Sequence, residues 1–238
     1  MSMQARIASG LTALGLTPPD GAAARLAEYG RLLLEQHQVM NLTAITEPDQ
    51  VADLHFLDSA ALLTLGEDLR GKRLIDVGTG AGFPGLPLRI LEPSLQLTLL
   101  DSLGKRVNWL SELSAQLGAA PVECIHGRAE EQALLEGYRD CYDLAVSRAV
   151  ADLRILAELC LPFVKVGGRF LAMKSDNCQE EVERAGRAIA KLGGQLRPMA
   201  QYQIPGTEIT RRVVVVEKIR PTPKGYPRRF SRMKKAPL

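Results

Sequence analysis

The apolar run that ends in Asp76, together with the glycines behind it, constrains the fold of this chain more than any other segment. Residues 72–77 predict a buried strand. Gly78, Gly80 and Gly82 then predict a turn whose backbone approaches a ligand closely, because glycine has no Cβ. Two prolines follow and suit the first turn of a helix, where a missing N–H costs nothing. Strand, turn and helix therefore predict a nucleotide-binding corner, in which the helix start offers free N–H groups.

A second apolar run supports this interpretation. Residues 95–100 predict another strand, which is followed by Asp101 and Ser102. Folds that bind nucleotides place an acid for the ribose hydroxyls about 20 residues after the glycine turn. Asp101 is therefore the expected ribose ligand, and Ser102 beside it is a second candidate for cofactor binding.

Two cofactor classes fit the spacing of these glycines. Residues 80–85 satisfy G-x-G-x-x-G, which leaves a nicotinamide or flavin enzyme open. Asp76-x-Gly78-x-Gly80 also matches the acid-x-Gly-x-Gly of methyltransferases that use S-adenosylmethionine, and we favour this interpretation. The carboxylate of Asp76 would then lie near the cationic methionine end of the cofactor. A glycine-rich turn with a purely structural role is the remaining alternative.

Positive charge is concentrated at the C-terminal end of the chain. Residues 211–238 hold ten Lys and Arg against one acid, Glu217, a net charge of +9, and the other 20 basic and 26 acidic residues leave the rest at −6. Tyr226 and Phe230 stand among these charges, as in surfaces that stack on bases and contact phosphates. We therefore predict that residues 221–238 bind nucleic acid, with a solvated terminus as the alternative. Deleting them is expected to weaken RNA association and to leave cofactor affinity nearly intact.

The composition argues against several other classes of protein. No apolar run approaches the roughly 18 residues that span a bilayer, and the N-terminus lacks the pattern of a signal peptide. The four cysteines have no C-x-x-C spacing, and with three histidines they indicate no metal site. We expect a cytoplasmic protein with reduced cysteines and no membrane association. Nothing demands a dimer, so we expect a monomer.

Strand and helix patterns alternate along the chain. Residues 1–65 are predicted to be helical throughout. The predicted strands are 72–77, 95–100, 121–125, 142–147 and 168–173, and the predicted helices lie near 85–92, 104–117, 129–136, 151–161 and 177–192. Two further apolar runs, 194–204 and 211–219, enclose Pro205-Gly206 and predict an antiparallel hairpin.

Five β/α units and a terminal hairpin predict an α/β fold. The expected architecture is the Rossmann-like, seven-stranded, mostly parallel sheet of class I S-adenosylmethionine methyltransferases, since a dehydrogenase fold more often continues with parallel units. We expect a helical extension packed on the sheet (residues 1–65), the methyltransferase domain (66–220) and a basic tail (221–238).

Short motifs are spread along nearly the whole chain. They are Asn41-Leu42-Thr43-Ala44-Ile45-Thr46, His55-Phe56-Leu57-Asp58-Ser59, the glycine turn, residues 100–106, Arg128-Ala129-Glu130, Ser147-Arg148-Ala149, residues 210–218 and Tyr226-Pro227-Arg228-Arg229. In this order they resemble the bacterial 16S rRNA guanine-N7 methyltransferases, the glucose-inhibited division protein B family. The chain departs from the family pattern at Ser175, where glycine is common, and in the tail at Ser231 and Met233, where glycine and proline are usual.

The resemblance implies methylation of guanine N7 in the 16S rRNA of the small ribosomal subunit, with S-adenosylmethionine as methyl donor. The family target is guanine 527 in the decoding-region loop. It also implies cofactor contacts at Gly78, Phe83, Ala129, Glu130 and Arg148. Phe83 would cover the apolar portion of the cofactor, Ala129 and Glu130 would meet the adenine edge, and Arg148 would face the crevice. An ion pair for Arg148 and a helix-start role for Glu130 remain alternatives.

This target determines the chemistry. Guanine N7 has a free lone pair at neutral pH, so methyl transfer needs no general base and depends on holding N7 in line with the methyl group. No Asp/Asn-Pro-Pro-Tyr follows the fourth predicted strand and no Pro-Cys pair is present, which disfavours exocyclic amines and pyrimidine C5 as targets. A small-molecule methyltransferase, and an RNA-binding protein without turnover, are the alternatives.

Five residues are candidates for positioning the substrate. His55 and Asp58 share a helix face and would line the guanine pocket, with Asp58 accepting from N1–H and the exocyclic amine. They could instead form a cluster that docks the N-terminal helices. Lys174 ends a predicted strand, where it would meet phosphate. Arg211 and Arg212 are neighbours on a strand, so only one of them is expected to face RNA.

Overall fold

One mostly parallel β-sheet forms the centre of the structure. The computed structural model describes residues 1–148 and 151–238. The strands are β1 (Arg73–Val77), β2 (Gln96–Asp101), β3 (Glu123–His126), β4 (Tyr142–Arg148), β5 (Val164–Ser175), β6 (Gly194–Leu196), β7 (Ala200–Gln203) and β8 (Thr210–Lys218). Their order is β3-β2-β1-β4-β5-β8-β6, with β7 also paired to β8. Strands β1 to β5 are parallel and β8 is antiparallel to β5, which confirms the predicted fold class.

Helices precede the sheet and alternate with its strands. They are α1 (Met3–Ala13), α2 (Ala22–His37), α3 (Pro48–Val51), α4 (Asp58–Ala60), α5 (Gly85–Leu91), α6 (Gly104–Gln116), α7 (Ala129–Gln132), α8 (Leu153–Cys160), α9 (Gln179–Lys191) and α10 (Phe230–Lys235). A π-helical segment (Ala52–Leu57) joins α3 to α4, and a 3₁₀ turn (Ala61–Thr64) follows α4. Within the two described ranges, no helix is both long enough and apolar enough to cross a membrane.

Two helix predictions differ from the structure. Residues 1–65 are not helical throughout, because residues 14–21 and 38–47 form loops. Gly15 and Gly21 both have a φ of 71°, a left-handed conformation that interrupts a helix. The helix predicted over 129–136 ends at Gln132, since the two leucines that follow it are exposed and offer no packing.

The alternating pattern of the central strands produces a core on each face of the sheet. Leu74 of β1 belongs to a buried cluster that includes Tyr29 and Phe56 from the N-terminal helices. Ile75, the next residue, belongs to a second cluster formed with α8, α9 and Met233 of α10. Successive strand residues point to opposite faces, so both faces of β1 are covered.

The terminal hairpin contains a bulge that the sequence pattern did not predict. The run 194–204 is not one strand: β6 pairs with the end of β8 and β7 with its start. Leu196 is opposite Val216 and Ala200 is opposite Val213, so three residues of one strand face two of the other. Pro198 lies in this interval and has no N–H to donate to the ladder, which explains the interruption.

The C-terminal residues pack on the domain. Arg228 binds Glu158 of α8 through its backbone N and two guanidinium nitrogens, at 2.7–2.8 Å, and Glu158 is 1% exposed. The guanidinium of Arg139 donates to the carbonyl oxygens of Thr222 and Tyr226, both at 2.9 Å. These bonds hold residues 222–228 against the face of the sheet that α8 covers.

Candidate functional site

The glycine turn follows β1 and lies at the carboxyl end of the sheet. The N–H groups of Gly78 and Thr79 both donate to the carbonyl oxygen of Leu100, at 2.9 and 3.1 Å. Gly80 has a φ of 61°, and a Cβ built on it meets nothing within 4 Å, so the turn is open to solvent at this position. A Cβ on Gly82 would overlap the Tyr29 hydroxyl, which donates to the Ala81 carbonyl. The first part of the turn thus faces the crevice, while Gly82 permits packing against α2.

Asp76 lies beneath this turn. It is 0% exposed, and its Oδ2 accepts from the Gly85 N–H and the Thr79 hydroxyl, both at 2.8 Å. Its Oδ1 has no hydrogen-bond partner among the described residues. Burial raises the pKa of Asp76 to about 6. The carboxylate therefore holds the turn in place through its bonds to Thr79 and Gly85. Asp76 does not line either crevice cavity described below.

Asp101 lies where two cavities of the crevice meet. Its Oδ2 accepts from the Gly80 N–H and its Oδ1 from the Leu103 N–H, both at 2.9 Å. Gly78, Asp101 and Ser102 line both cavities. A ligand that spans the two cavities would therefore pass Asp101 at its middle, which is where the sequence pattern expects a ribose.

The first cavity lies between the ends of β1 to β3 and the start of α7. Ala129 and Glu130, in the first turn of α7, line it together with apolar side chains from β1 and β2. Phe230 of α10 completes the lining. The predicted adenine-edge residues and the predicted ribose ligand are thus brought together in one place.

The second cavity is bounded by an aromatic cluster. Phe83, which is 4% exposed, stacks with Tyr29 at 5.1 Å and an interplanar angle of 6°, and with His55 at 4.4 Å and 15°. The ring of Phe56 meets Phe83 edge-on at 5.6 Å. These contacts bind the glycine turn to the N-terminal helices, and Phe83 still lines the cavity.

Arg148 is the centre of a polar network at the end of β4. Its Nη1 donates to the Leu54 carbonyl oxygen at 2.8 Å and to Asp58 Oδ2 at 3.1 Å, and its Nη2 lies 2.9 Å from His55 Nδ1. The guanidinium also lies 5.1 Å from the centroid of the Phe83 ring. Ala149, the third residue of its motif, lies outside the described residues.

His55 is neutral within this network. Burial and the charge of Arg148 lower the pKa of His55 to about 3. Because Nδ1 faces the guanidinium donor, we assign the ring proton to Nε2, which lies 2.8 Å from the Thr43 hydroxyl oxygen. His55 is thus an acceptor for Arg148 and a donor to Thr43.

Asp58 is the anion of the network. It is 2% exposed, its Oδ1 accepts from the Tyr202 hydroxyl at 2.7 Å, and Arg211 Nε lies 3.6 Å from the same oxygen. Burial and Asp58 raise the pKa of Tyr202, which therefore remains a donor. His55, in the π-helical segment, and Asp58, at the start of α4, contact the same guanidinium, so the two residues that the sequence assigns to one helix face do share a partner.

A third cavity of about 550 Å³ opens beside this network, within the size range of small-ligand sites. Arg148, Asp58, Lys174 and Arg211 line it. Lys174 Nζ donates to Glu181 at 2.7 Å and to the Ala151 carbonyl oxygen at 2.9 Å. Three cationic side chains and two acidic ones, Asp58 and Glu181, therefore line one concave surface.

Arg211 and Arg212, near the start of β8, point to opposite sides of the strand because of its pleat. Arg211 lines the third cavity, whereas Arg212 pairs with Asp176 at 2.7 Å and does not line it. Ser175, one of the departures from the family pattern, also lines this cavity. Arg211 and Ser175 thus contribute to the same surface from paired strands.

Sequence reasoning missed three residues of the site. Tyr202 and Glu181 carry no motif; Tyr202 reaches the network only through the packing of β7, and Glu181 reaches the third cavity only through the packing of α9. Phe230 was noted in the basic segment, but nothing in its local sequence indicates a cavity at the end of β1 and β2. Long-range packing supplies all three.

Comparisons with known proteins agree on a family and a fold. The profile of the family described as rRNA small subunit methyltransferase G matches residues 22–210. A protein named ribosomal RNA small subunit methyltransferase G from Alkaliphilus metalliredigens (strain QYMF) is 46% identical over 229 residues, 96% of each chain. One of the same name from Alkaliphilus oremlandii (strain OhILAs) is 43% identical over 238 residues, 100% of each chain. The solved 16S rRNA (adenine(1408)-N(1))-methyltransferase of Catenulisporales acidiphilia, 16% identical, matches the fold with a TM-score of 0.53 over 65% of this chain and 88% of its own.

Proposed function

The chain belongs to the rRNA small subunit methyltransferase G family, and on this basis we propose that it transfers a methyl group from S-adenosylmethionine to N7 of a guanine in 16S rRNA. Guanine 527 of the decoding-region loop is the proposed target. We further propose that the protein acts in the cytoplasm and as a monomer. The observation that carries the proposal is the match of the family over residues 22–210, combined with a substrate cavity that shares Arg148 with the cofactor crevice.

The crevice fits such a cofactor. Its first cavity has an apolar lining suited to adenine, and the Asp101 oxygens retain acceptor capacity for ribose hydroxyls beside their backbone bonds. The open position at Gly80 leaves room for a ligand against the backbone. We assign cofactor contacts to Gly78, Asp101, Ser102 and the start of α7, with Arg148 and Phe83 at the second cavity. When bound, the cofactor supplies an electrophilic methyl group on its sulfonium.

The chain's own residues bind and orient the guanine. N7 carries its lone pair at neutral pH, so no side chain has to remove a proton. His55 stays neutral, and Asp58 already accepts hydrogen bonds from Arg148 and Tyr202. Both residues therefore act by positioning Arg148. Rate acceleration then comes from alignment of the base with the methyl group.

Electrostatic attraction supports the choice of RNA. Arg148, Lys174 and Arg211 outnumber the two acids, Asp58 and Glu181, in the lining of the third cavity, in a chain whose residues 1–210 carry net negative charge. A cationic concave site in such a body concentrates anionic ligands. We propose that Lys174 and Arg211 contact phosphates next to the target nucleotide, and that Arg212 does not.

The test is methyl transfer from labelled S-adenosylmethionine to small ribosomal subunits, and to deproteinised rRNA, from cells that lack this protein. Cleavage chemistry specific for N7-methylguanine maps the product. One labelled guanine in the decoding-region loop is the expected result, and the substrate that accepts the label shows which form is used. Failure to label either RNA, while S-adenosylhomocysteine still binds, would exclude the proposed activity and favour a small-molecule substrate.

A further inference from the structure

The adenine-facing cavity is completed by a residue from outside the β/α units. Its inner wall comes from the ends of β1 and β2 and from the start of α7. Phe230, the first residue of α10, lines the same cavity although it follows the last strand by twelve residues in the chain. The C-terminal segment therefore reaches from β8 across the domain to the cofactor crevice.

The position of this ring is fixed by buried contacts on both sides of it. Two residues before it, Arg228 binds the buried Glu158 through three nitrogen atoms. Three residues after it, Met233 is 0% exposed and belongs to the cluster beneath the sheet. Leu159, the neighbour of Glu158 on α8, lines the cavity beside Phe230. The aromatic side chain is thus part of the cavity wall in the folded protein.

The surroundings of Phe230 suit a flat aromatic base. Val77, Leu100 and Leu159 give the cavity an apolar lining, and Glu130 and Ser102 add polar groups at its edge. An aromatic side chain beside a base adds about 1–3 kcal/mol through stacking. The functions predicted from the sequence for residues 221–238 assign this ring to RNA and not to the adenine of the cofactor.

We propose that Phe230 forms the outer wall of the adenine pocket, so that the C-terminal segment (residues 221–238) contributes one side chain to the cofactor-binding site. The inference rests on the proposed use of S-adenosylmethionine. It reverses the expectation that deletion of residues 221–238 leaves cofactor affinity nearly intact. The same deletion would also expose the cluster that holds Met233, so point variants test the proposal better.

The experiment is isothermal titration calorimetry with S-adenosylhomocysteine on the full chain. Phe230→Ala is expected to raise the Kd about tenfold, which is the effect of about 1.4 kcal/mol of lost stacking. Phe230→Tyr keeps the aromatic face and should bind like the wild type. Arg232→Ala, at an exposed position on the same helix, is the matched control and should also leave the Kd unchanged.

The outcomes separate this inference from the proposed function. Wild-type affinity in Phe230→Ala would refute the inference, whereas no binding to the wild-type protein would refute the use of this cofactor. Thermal denaturation without ligand monitors folding of each variant. If Phe230→Ala unfolds, Phe230→Leu keeps the apolar anchor without the aromatic face. Weaker binding by a folded Phe230→Leu supports the proposal, and wild-type binding by it overturns the proposal.

Discussion

Replacing Asp76 with asparagine should remove a pH-dependent loss of stability. The wild-type carboxyl is fully buried, and its one partnered oxygen accepts from Gly85 and Thr79. The amide oxygen of asparagine can accept the same two bonds. The amide nitrogen would occupy the position of Oδ1, which has no partner among the described residues, so a constant penalty of about 1–3 kcal/mol accompanies the change.

The magnitude follows from the difference between the two pKa values. Burial raises the pKa of Asp76 from 3.8 to about 6, a change of about two pH units at 1.36 kcal/mol each. Between these values the folded state holds a proton that the unfolded state has lost, so the free energy of unfolding falls as pH rises. The contribution of Asp76 is fully present below about pH 4 and lost above about pH 6. The wild type should therefore lose about 3 kcal/mol across this window that Asp76→Asn does not lose.

Urea denaturation at a series of pH values from about 3 to about 8 measures this difference. The stability of Asp76→Asn relative to the wild type should rise by about 3 kcal/mol across the series and then level off. Asp20→Asn, at an exposed position, is the matched control and should follow the wild type. A relative stability of Asp76→Asn that does not change with pH would refute the reasoning.

Three further changes test the network and the packing of the chain end. Arg211→Ala should raise the Kd for the RNA substrate about fivefold and reduce the salt dependence of binding by about one phosphate contact. Arg212→Ala should change the Kd by less than about twofold and leave the salt dependence unchanged, and filter binding at several salt concentrations measures both. His55→Gln should leave the shape of the pH profile of kcat/KM unchanged, because burial and Arg148 lower the pKa of His55 to about 3 and keep the ring neutral. Loss of the acidic or the basic limb of the profile in the variant would contradict this. Glu158→Gln should lower the free energy of unfolding by about 3–5 kcal/mol, since it keeps one acceptor oxygen but removes the buried negative charge that pairs with the Arg228 guanidinium; an unchanged melting temperature in calorimetry would contradict that role.

Local patterns account for the parts of the fold that the sequence predicts. The corner from β1 through the glycine turn is visible because all of its requirements fall within one short stretch of the chain: an apolar run, glycines at positive φ, and an acid at the end of the next strand. Pro198 can also be read in the sequence, but whether it interrupts a strand depends on how that strand pairs with β8. The bulge appears only when the pairing of β6 and β7 with β8 is known.

The polar network could not be predicted in the same way. Arg148 lies 90 residues from Asp58, and Tyr202 lies 144 residues from it. Periodicity places each residue on its own element but does not state which elements meet. The π-helical segment that carries His55 has no local signal either, since i→i+5 bonding is rarely favoured by sequence alone. The same limit applies to Phe230, whose local charges suggest RNA and whose packing places it in the first cavity.

Arg148 joins the two halves of the proposed reaction. It lines the second cavity on the cofactor side and the third cavity on the substrate side. Three of its partners, the Leu54 carbonyl, His55 and Asp58, come from the helical segment that precedes the sheet. In-line transfer depends on the distance and angle between the two bound groups. Because one guanidinium bounds both cavities, the bonds that hold it also fix how the cavities lie relative to each other. In the proposed reaction the N-terminal helices would therefore act through alignment, although they supply few of the residues that line the first cavity.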